Sequence, residues 1–441
     1  MDDEILYNPN ETFNCAMNLI ILVLSCLFIS YINSGIWLLI PFTSGMIGFG
    51  IALLLFFLLC IEQGVLTHFF GVLHGYGTVL IAVISFFVML YMGIEFKSSD
   101  FLKFFYCIVI MMMASHFSQS KELRKPLLVY IAFEVTVKMF VNIFYLISDP
   151  EFVRFSGGGY NNITVTGEGF QKLGGIYILY ILMTILFVLL SNMSITRHKV
   201  VSIIYVSIVI ALMLMSQMTL VLFATLILTV YIFFINPKHY AASIIIGIVG
   251  FIVIIFALKS IIPFLLDKQW FGNEINRRLR DVYNIFYSGQ SFSKIINDYS
   301  VYKESFSLSS VKGRLYAYIT SVKSLKSNFL LGYFSPDMSL HGGHSVLIDY
   351  ICENGILTLV WYYSLVMYVR KLLKTTVVTN KKAIWCFSIA FVFLSAFNKF
   401  SIIDFYMQLF IILPYFYELL TAPPKTVKKL KGKVLRVNNL E

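Results

Sequence analysis

From about residue 14 onward, stretches of roughly 20 mainly apolar residues follow one another along the chain, most of them separated by short polar loops. A run of that length crosses a bilayer as a helix, and in lipid only a helix or a closed barrel satisfies its own backbone. Twelve such stretches are present, at about 14–32, 36–61, 77–95, 101–118, 126–147, 174–192, 200–216, 219–235, 241–262, 345–369, 383–398 and 402–420. The pattern predicts an all-α, polytopic integral membrane protein with about 12 transmembrane helices. Of the 441 residues 59% are hydrophobic and only 13% charged, against ~45–50% and ~25% in soluble domains. A soluble chain has to cover itself with polar surface, so these values exclude an ordinary soluble enzyme. No basic segment precedes the first span, which begins after Met1-Asp2-Asp3-Glu4, so that span is expected to act as its own insertion signal.

The net charge of +11 is concentrated in short loops and in the C-terminal segment, which points to membrane topology and not to nucleic acid. Lys425, Lys428, Lys429, Lys431, Lys433 and Arg436 crowd the end of the chain, and Arg370, Lys371, Lys374, Lys381 and Lys382 follow the tenth span. Placing both inside also places inside the loops that carry Lys121/Arg124/Lys125, Arg197/Lys199 and Lys238. Both termini are then expected to be cytoplasmic, with residues 1–420 a single transmembrane domain and 421–441 a basic cytoplasmic tail. Two long connections, about 148–173 and 263–344, fall on the outer face. The second reads as two amphipathic helices, one with Ile275, Leu279, Val282 and Phe286 on its apolar stripe, the other with Val311, Leu315, Ile319 and Val322. The six cysteines lie in or beside apolar spans and form no CxxC or disulfide framework.

Carboxylates at membrane depth are costly, at least ~2.5 kcal/mol each on insertion scales, and ionisable side chains there mark functional candidates. Three outer-face segments draw attention. Arg154 precedes Gly157-Gly158-Gly159 in the shorter loop; glycines allow close backbone approach, and an arginine binds phosphate with a two-pronged contact. Arg314 lies on the second amphipathic helix. His341-Gly342-Gly343-His344-Ser345 enters the tenth span, where Asp349 and Glu353 follow on one helical face. His341 and His344 would need a third ligand, Asp337 or Asp349, to hold a metal, and their spacing is unspecific; no metal or other cofactor is expected. Arg277 and Arg280 on the first amphipathic helix are further candidates for contact with an anionic substrate. Within the fifth span, Glu134 and Lys138 stand four apart and are expected to pair.

The segment from His344 resembles the signature of the O-antigen polymerase and ligase superfamily of bacterial membrane glycosyltransferases. That signature is His, then Asn, Ser or Gly, nine residues, Gly, two residues, then Gly, Thr or Tyr. His344-Ser345, Gly355 and Thr358 fill every position. The stretch Arg314–Gly332 resembles the family's helix before this histidine, and Arg154–Asn162 its arginine- and glycine-containing outer segment, without the family's frequent Pro-Asn. The resemblance implies a bundle of the large membrane-glycosyltransferase type in the bacterial cytoplasmic membrane. It further implies substrates that are oligosaccharides on undecaprenyl diphosphate, an active site facing the periplasm or cell exterior, and a chain-length regulator protein as a further partner.

By that resemblance His344, Arg314 and Arg154 are the expected catalytic residues. An imidazole, with an unperturbed pKa near ~6.5, accepts a hydroxyl proton at neutral pH. The two arginines would hold the diphosphate as it leaves. Asp349, Glu353, Arg277, Arg280 and His341 are expected to orient or bind substrate, with Asp349 or Glu353 steadying the imidazole. A polymerase is the first expectation and a ligase the second. A flippase of the same lipid-linked unit is the alternative of another class, with Glu134, Lys138 and the carboxylates of the tenth span lining its path.

Overall fold

The computed structural model describes residues 9–421 apart from 34, 40–44, 93, 150–151, 153–171, 176–177, 217, 237–238, 269–272, 288–310, 335–344 and 398–400. Among the described residues the architecture is helical throughout, with one isolated bridge between Thr196 and Thr421 in place of any strand. The helices are α1 (Pro9–Ile32), α2 (Gly45–Ile61), α3 (Val65–Phe70), α4 (Leu73–Met92), α5 (Ile94–Gln119), α6 (Lys121–Ser148), α7 (Ile178–Ser191), α8 (Lys199–Met215) and α9 (Thr219–Tyr231). They continue with α10 (Tyr240–Lys268), α11 (Asn273–Phe286), α12 (Val311–Asn328), α13 (Val346–Asn354), α14 (Leu357–Thr375), α15 (Val378–Phe397) and α16 (Ile402–Met407). A π-helical turn at Gln408–Ile412 and two short helical turns carry α16 on to Leu420.

Seven of the described segments are long and apolar enough to cross a membrane: Cys15–Ile32, Leu73–Tyr91, Asp100–Gln119, Lys121–Ser148, Ile245–Lys268, Val378–Phe397 and Ile402–Leu420. Four shorter apolar helices accompany them, and the protein is membrane-embedded. The centre of the bundle is built from Asp100–Gln119 and Ile402–Leu420, each 78% buried, and from α7, where Ile178–Leu189 are all buried. At the rim, α10 leaves Ile245, Ile248, Val253 and Phe256 exposed. It packs through Ile262 on Leu279 of α11. Apolar surface of this kind has lipid as its solvent, and helix association in lipid rests on packing and polar contacts between helices.

Two sequence expectations change. The tenth span is not one helix over 345–369 but α13 and α14, broken at Gly355 with φ 62°. The expected Glu134–Lys138 pair is not a direct one. Lys138 Nζ donates to the carbonyl of Asn33, and Glu134 Oε1 accepts the amide of Ile36 at 3.1 Å. The chain leaves helix between α1 and a 3₁₀ turn at Ile36–Leu39, so its backbone groups need partners there. Non-helical backbone at membrane depth is tolerated where protein satisfies it, and these two charges do so. The carbonyl end of a helix also favours a cation and the amide end an anion.

Polar stitches join other spans. His74 Nδ1 lies 2.8 Å from Ser364 Oγ, whose proton goes to Trp361 O at 2.7 Å. Nδ1 is therefore the donor, and Tyr406 Oη donates to Nε2 at 2.7 Å while accepting from Trp361 Nε1 at 3.0 Å. Arg124 forms a two-pronged contact with Glu418, at 2.9 and 3.1 Å, and its guanidinium stacks 4.4 Å from the Tyr415 ring.

Candidate functional site

Helix α13 is only nine residues long, and its ends are specified residue by residue. Ser345 is its N-cap, extended at φ −132°, and its hydroxyl accepts the amide of Ile348 at 3.4 Å. Asp349 Oδ2 accepts the amide of Ser345 in return, at 3.0 Å. This is a reciprocal capping box with the acid one position later than usual. The helix stops at Gly355, whose amide bonds to Ile351 O at 2.8 Å. Thr358 Oγ1 then donates back to Tyr350 O at 2.7 Å. Ser345, Gly355 and Thr358, the motif positions that follow His344, are the start, the stop and the brace of this one helix.

The stop is enforced by a second backbone. Gly355 has φ 62° and ψ −150°, a region essentially reserved for glycine. Gly332, in the 3₁₀ turn after α12, has φ 56°. A Cβ on Gly355 would lie 2.4 Å from Leu330 O, and one on Gly332 would lie 2.3 Å from Glu353 O. The two glycines let the chain after α12 run against the end of α13 with no side chain between them.

Helix α12 is also bound to the start of α13. Asp349 Oδ1 accepts the hydroxyl of Ser321 at 2.6 Å, and Cys352 Sγ approaches Ser321 O at 3.2 Å. Arg314 lies on the same helix, two turns before Ser321. Its side chain is half-buried, its Nε is fully buried without a partner, and among the described residues its guanidinium makes no hydrogen bond or ion pair. A buried donor left unsatisfied costs ~1–3 kcal/mol, more for a charged group. Tyr318, one turn on, donates to Phe397 O at 2.6 Å. Burial pushes its hydroxyl pKa up, the Arg314 charge opposes that, and the Asp349 carboxylate adds to it. Arg314, Tyr318 and Asp349 therefore share one electrostatic neighbourhood.

Glu353 faces elsewhere. It takes a hydrogen bond from Tyr333, whose pKa is raised by burial and then by the Glu353 and Asp100 carboxylates. Tyr333 thus stays a donor. Of the two carboxylates expected to steady the imidazole, Asp349 reaches the backbone just after His344 and Glu353 reaches Tyr333. Arg277 and Arg280 are exposed on α11, while Arg278 between them is buried. Arg154, His341, His344 and Asp337 lie outside the described residues. Of the three expected catalytic residues, Arg314 alone can be placed.

Sequence reading passed over Ser321, Tyr318 and Tyr333. Ser321 and Tyr318 recur on the Arg314 face at helical spacing, which is a signal; Tyr333 adjoins a glycine whose conformation no spacing reveals. Compared with known protein families the chain matches no family model, and no curated protein matches it.

Proposed function

We propose that this chain is a membrane glycosyltransferase that polymerises oligosaccharide units carried on undecaprenyl diphosphate, at the outer face of a bacterial cytoplasmic membrane. The observation that carries the reading is Arg314: a half-buried guanidinium without a partner among the described residues. It stands on the helix bound through Ser321 and Asp349 to the cap that directly follows His344. An unpaired arginine in such a place suits an anion with planar oxygen pairs, as a diphosphate presents.

In this reading a sugar hydroxyl of one lipid-linked unit attacks the anomeric carbon of another chain. His344 takes the hydroxyl proton as the new C–O bond forms. The bond from the anomeric carbon to the diphosphate oxygen breaks, and undecaprenyl diphosphate departs with both electrons of that bond. Arg314, with Arg154, stabilises the charge that grows on the leaving oxygens. Asp349 acts on the backbone: it fixes the first turn of α13 and so the direction in which His344 enters the site. The product keeps one lipid carrier.

The test is complementation of a strain deleted for this gene, with surface polysaccharide resolved on a gel and membrane levels of each variant matched. Wild type restores a ladder, whereas His344→Ala and Arg314→Ala leave single repeat units, with turnover down by at least ~10²-fold. Full ladders from both variants would overturn the reading, and a long chain left unattached would make the protein a ligase.

A further inference from the structure

The second half of α12 is built the wrong way round for water. Ser321, Ser324 and Asn328, on one helical face, are buried against the protein. Ser321 donates to Asp349, and Asn328 Nδ2 donates to Ser324 Oγ at 3.2 Å. Val322, Lys323 and Lys326, on the opposite side, are all exposed. The chain then runs on into Phe329, Leu330 and Leu331, and the two leucines are 63% and 56% exposed. The backbone that carries these side chains is fixed. Leu330 O accepts the amide of Ile356 at 3.5 Å, a Cβ on Gly332 would strike Glu353 O, and Tyr333 bonds to Glu353. Phe334 is again exposed. A contiguous apolar patch held open in this way marks an interaction surface.

What covers the patch follows from its neighbour. The Phe334 ring lies 6.2 Å from the ring of Tyr91, the last residue of the membrane-spanning segment Leu73–Tyr91. Tyr91 is 76% exposed, and Val83, Phe87 and Leu90 on the same face of that span are exposed with it. Lipid covers that face. The patch therefore continues a lipid-facing surface at the point where the span ends, the level at which aromatic rings meet headgroups. We infer that Val322–Phe334 lies in the membrane interface, an anchor whose Lys323 and Lys326 bind the headgroups of anionic phospholipids. Phe329, Leu330, Leu331 and Phe334 rest among the upper acyl chains. Among the described residues neither lysine makes a hydrogen bond or ion pair. A lysine lays its stem on apolar surface and lifts its ammonium into the polar layer. Near an anionic surface each such charge is worth about fivefold in affinity. A protein partner fits less well, because interface cores are poor in lysine. The anchor does not rest on the proposed function.

The experiment uses the full chain in nanodiscs of equal parts phosphatidylcholine and phosphatidylglycerol. Phe329→benzoylphenylalanine places a photo-crosslinker in the patch, and Phe87→benzoylphenylalanine places one on the lipid-facing span as a control. Mass spectrometry after illumination identifies what each has captured. Position 329 should capture phospholipid, with phosphatidylglycerol ahead of phosphatidylcholine by at least about fivefold. Position 87 should capture the two lipids equally. Adding Lys323→Gln and Lys326→Gln should bring the ratio at 329 close to one with thermal stability unchanged, since both lysines are exposed. His344→Ala should leave the ratio as it is in wild type, even if it abolishes polymer, so the anchor and the polymerase reading can fail separately. Capture of a second copy of the chain at 329, seen as a crosslinked dimer, would overturn the anchor. So would the absence of any lipid adduct there, equal capture of the two lipids, or a preference that survives loss of both lysines.

Discussion

Replacing Gly355 with alanine should be among the most damaging single-methyl changes the fold can receive. Its φ of 62° and ψ of −150° belong to a region that costs a residue with a side chain about 1–3 kcal/mol. The new Cβ would also stand 2.4 Å from Leu330 O, 2.7 Å from Leu330 C and 3.0 Å from Gly332 N. All three are backbone atoms, so no rotamer change relieves the clash. Relief requires the chain at Leu330–Gly332 to move off the end of α13, which strains the Ser321–Asp349 contact and separates Tyr333 from Glu353. Adding strain and displacement gives a loss of about 3–5 kcal/mol, the range reserved for named mechanisms of this kind. Gly50→Ala is the matched control, because a Cβ there meets nothing within 4 Å and alanine in a helix gains ~0.5–1 kcal/mol over glycine. Thermal unfolding in detergent should put Gly355→Ala at least about 5 °C below wild type, with Gly50→Ala at or above it. A Gly355→Ala protein that melts with wild type would mean that the α12–α13 clasp is not a fixed part of the fold.

Arg124→Ala removes the two-pronged contact to Glu418 and the stacking on Tyr415. With Glu418 one-third exposed, the cost should be about 2 kcal/mol, below that of a fully buried pair. Arg124→Lys should recover less than half of it, because an ammonium cannot span both carboxylate oxygens; chemical or thermal unfolding of the three proteins decides. Lys138→Met leaves the Asn33 carbonyl without its donor and should cost about 3 kcal/mol. In a double-mutant cycle with Glu134→Gln the two losses should be non-additive by at least ~0.5 kcal/mol, since both residues hold the same unwound segment. Additive losses would show that they act independently.

The helical, membrane-embedded class was legible because apolar runs of spanning length leave lipid no other backbone solution. Helices α11 and α12 were legible from the spacing of Leu279 with Val282 and of Val311 with Leu315. What escaped is where a helix stops inside an apolar run. Gly355 sits in an otherwise continuous stretch from Val346 to Val369, and hydropathy cannot register a change of φ. The partners of Glu134 and Lys138 were missed for a related reason. Spacing of four residues puts two side chains on one face, but the stronger demand came from backbone groups 98 and 105 residues earlier in the chain.

Several buried charges in this bundle answer the same need. Lys138 and Glu134 satisfy the break between α1 and the turn that follows. Asp349 caps α13 through Ser345, and Asp404 lies in the first turn of α16, whose cap Ser401 accepts the Asp404 amide at 3.4 Å. Arg124, besides holding Glu418, reaches the carbonyls of Phe117 and Ser118 near the end of α5 at 3.5 Å. Each is accounted for by a helix terminus, where the orphaned amides or carbonyls and the axial dipole call for an opposite charge. Their presence at membrane depth therefore gives no support to a transport path. Arg314 does not fit this pattern. It stands in the first turn of α12, the end that disfavours a cation, and no described carbonyl or carboxylate compensates it. A half-buried cation at that end of a helix suits an external anion, which is why the proposed function rests on this residue and not on the more numerous charges around it.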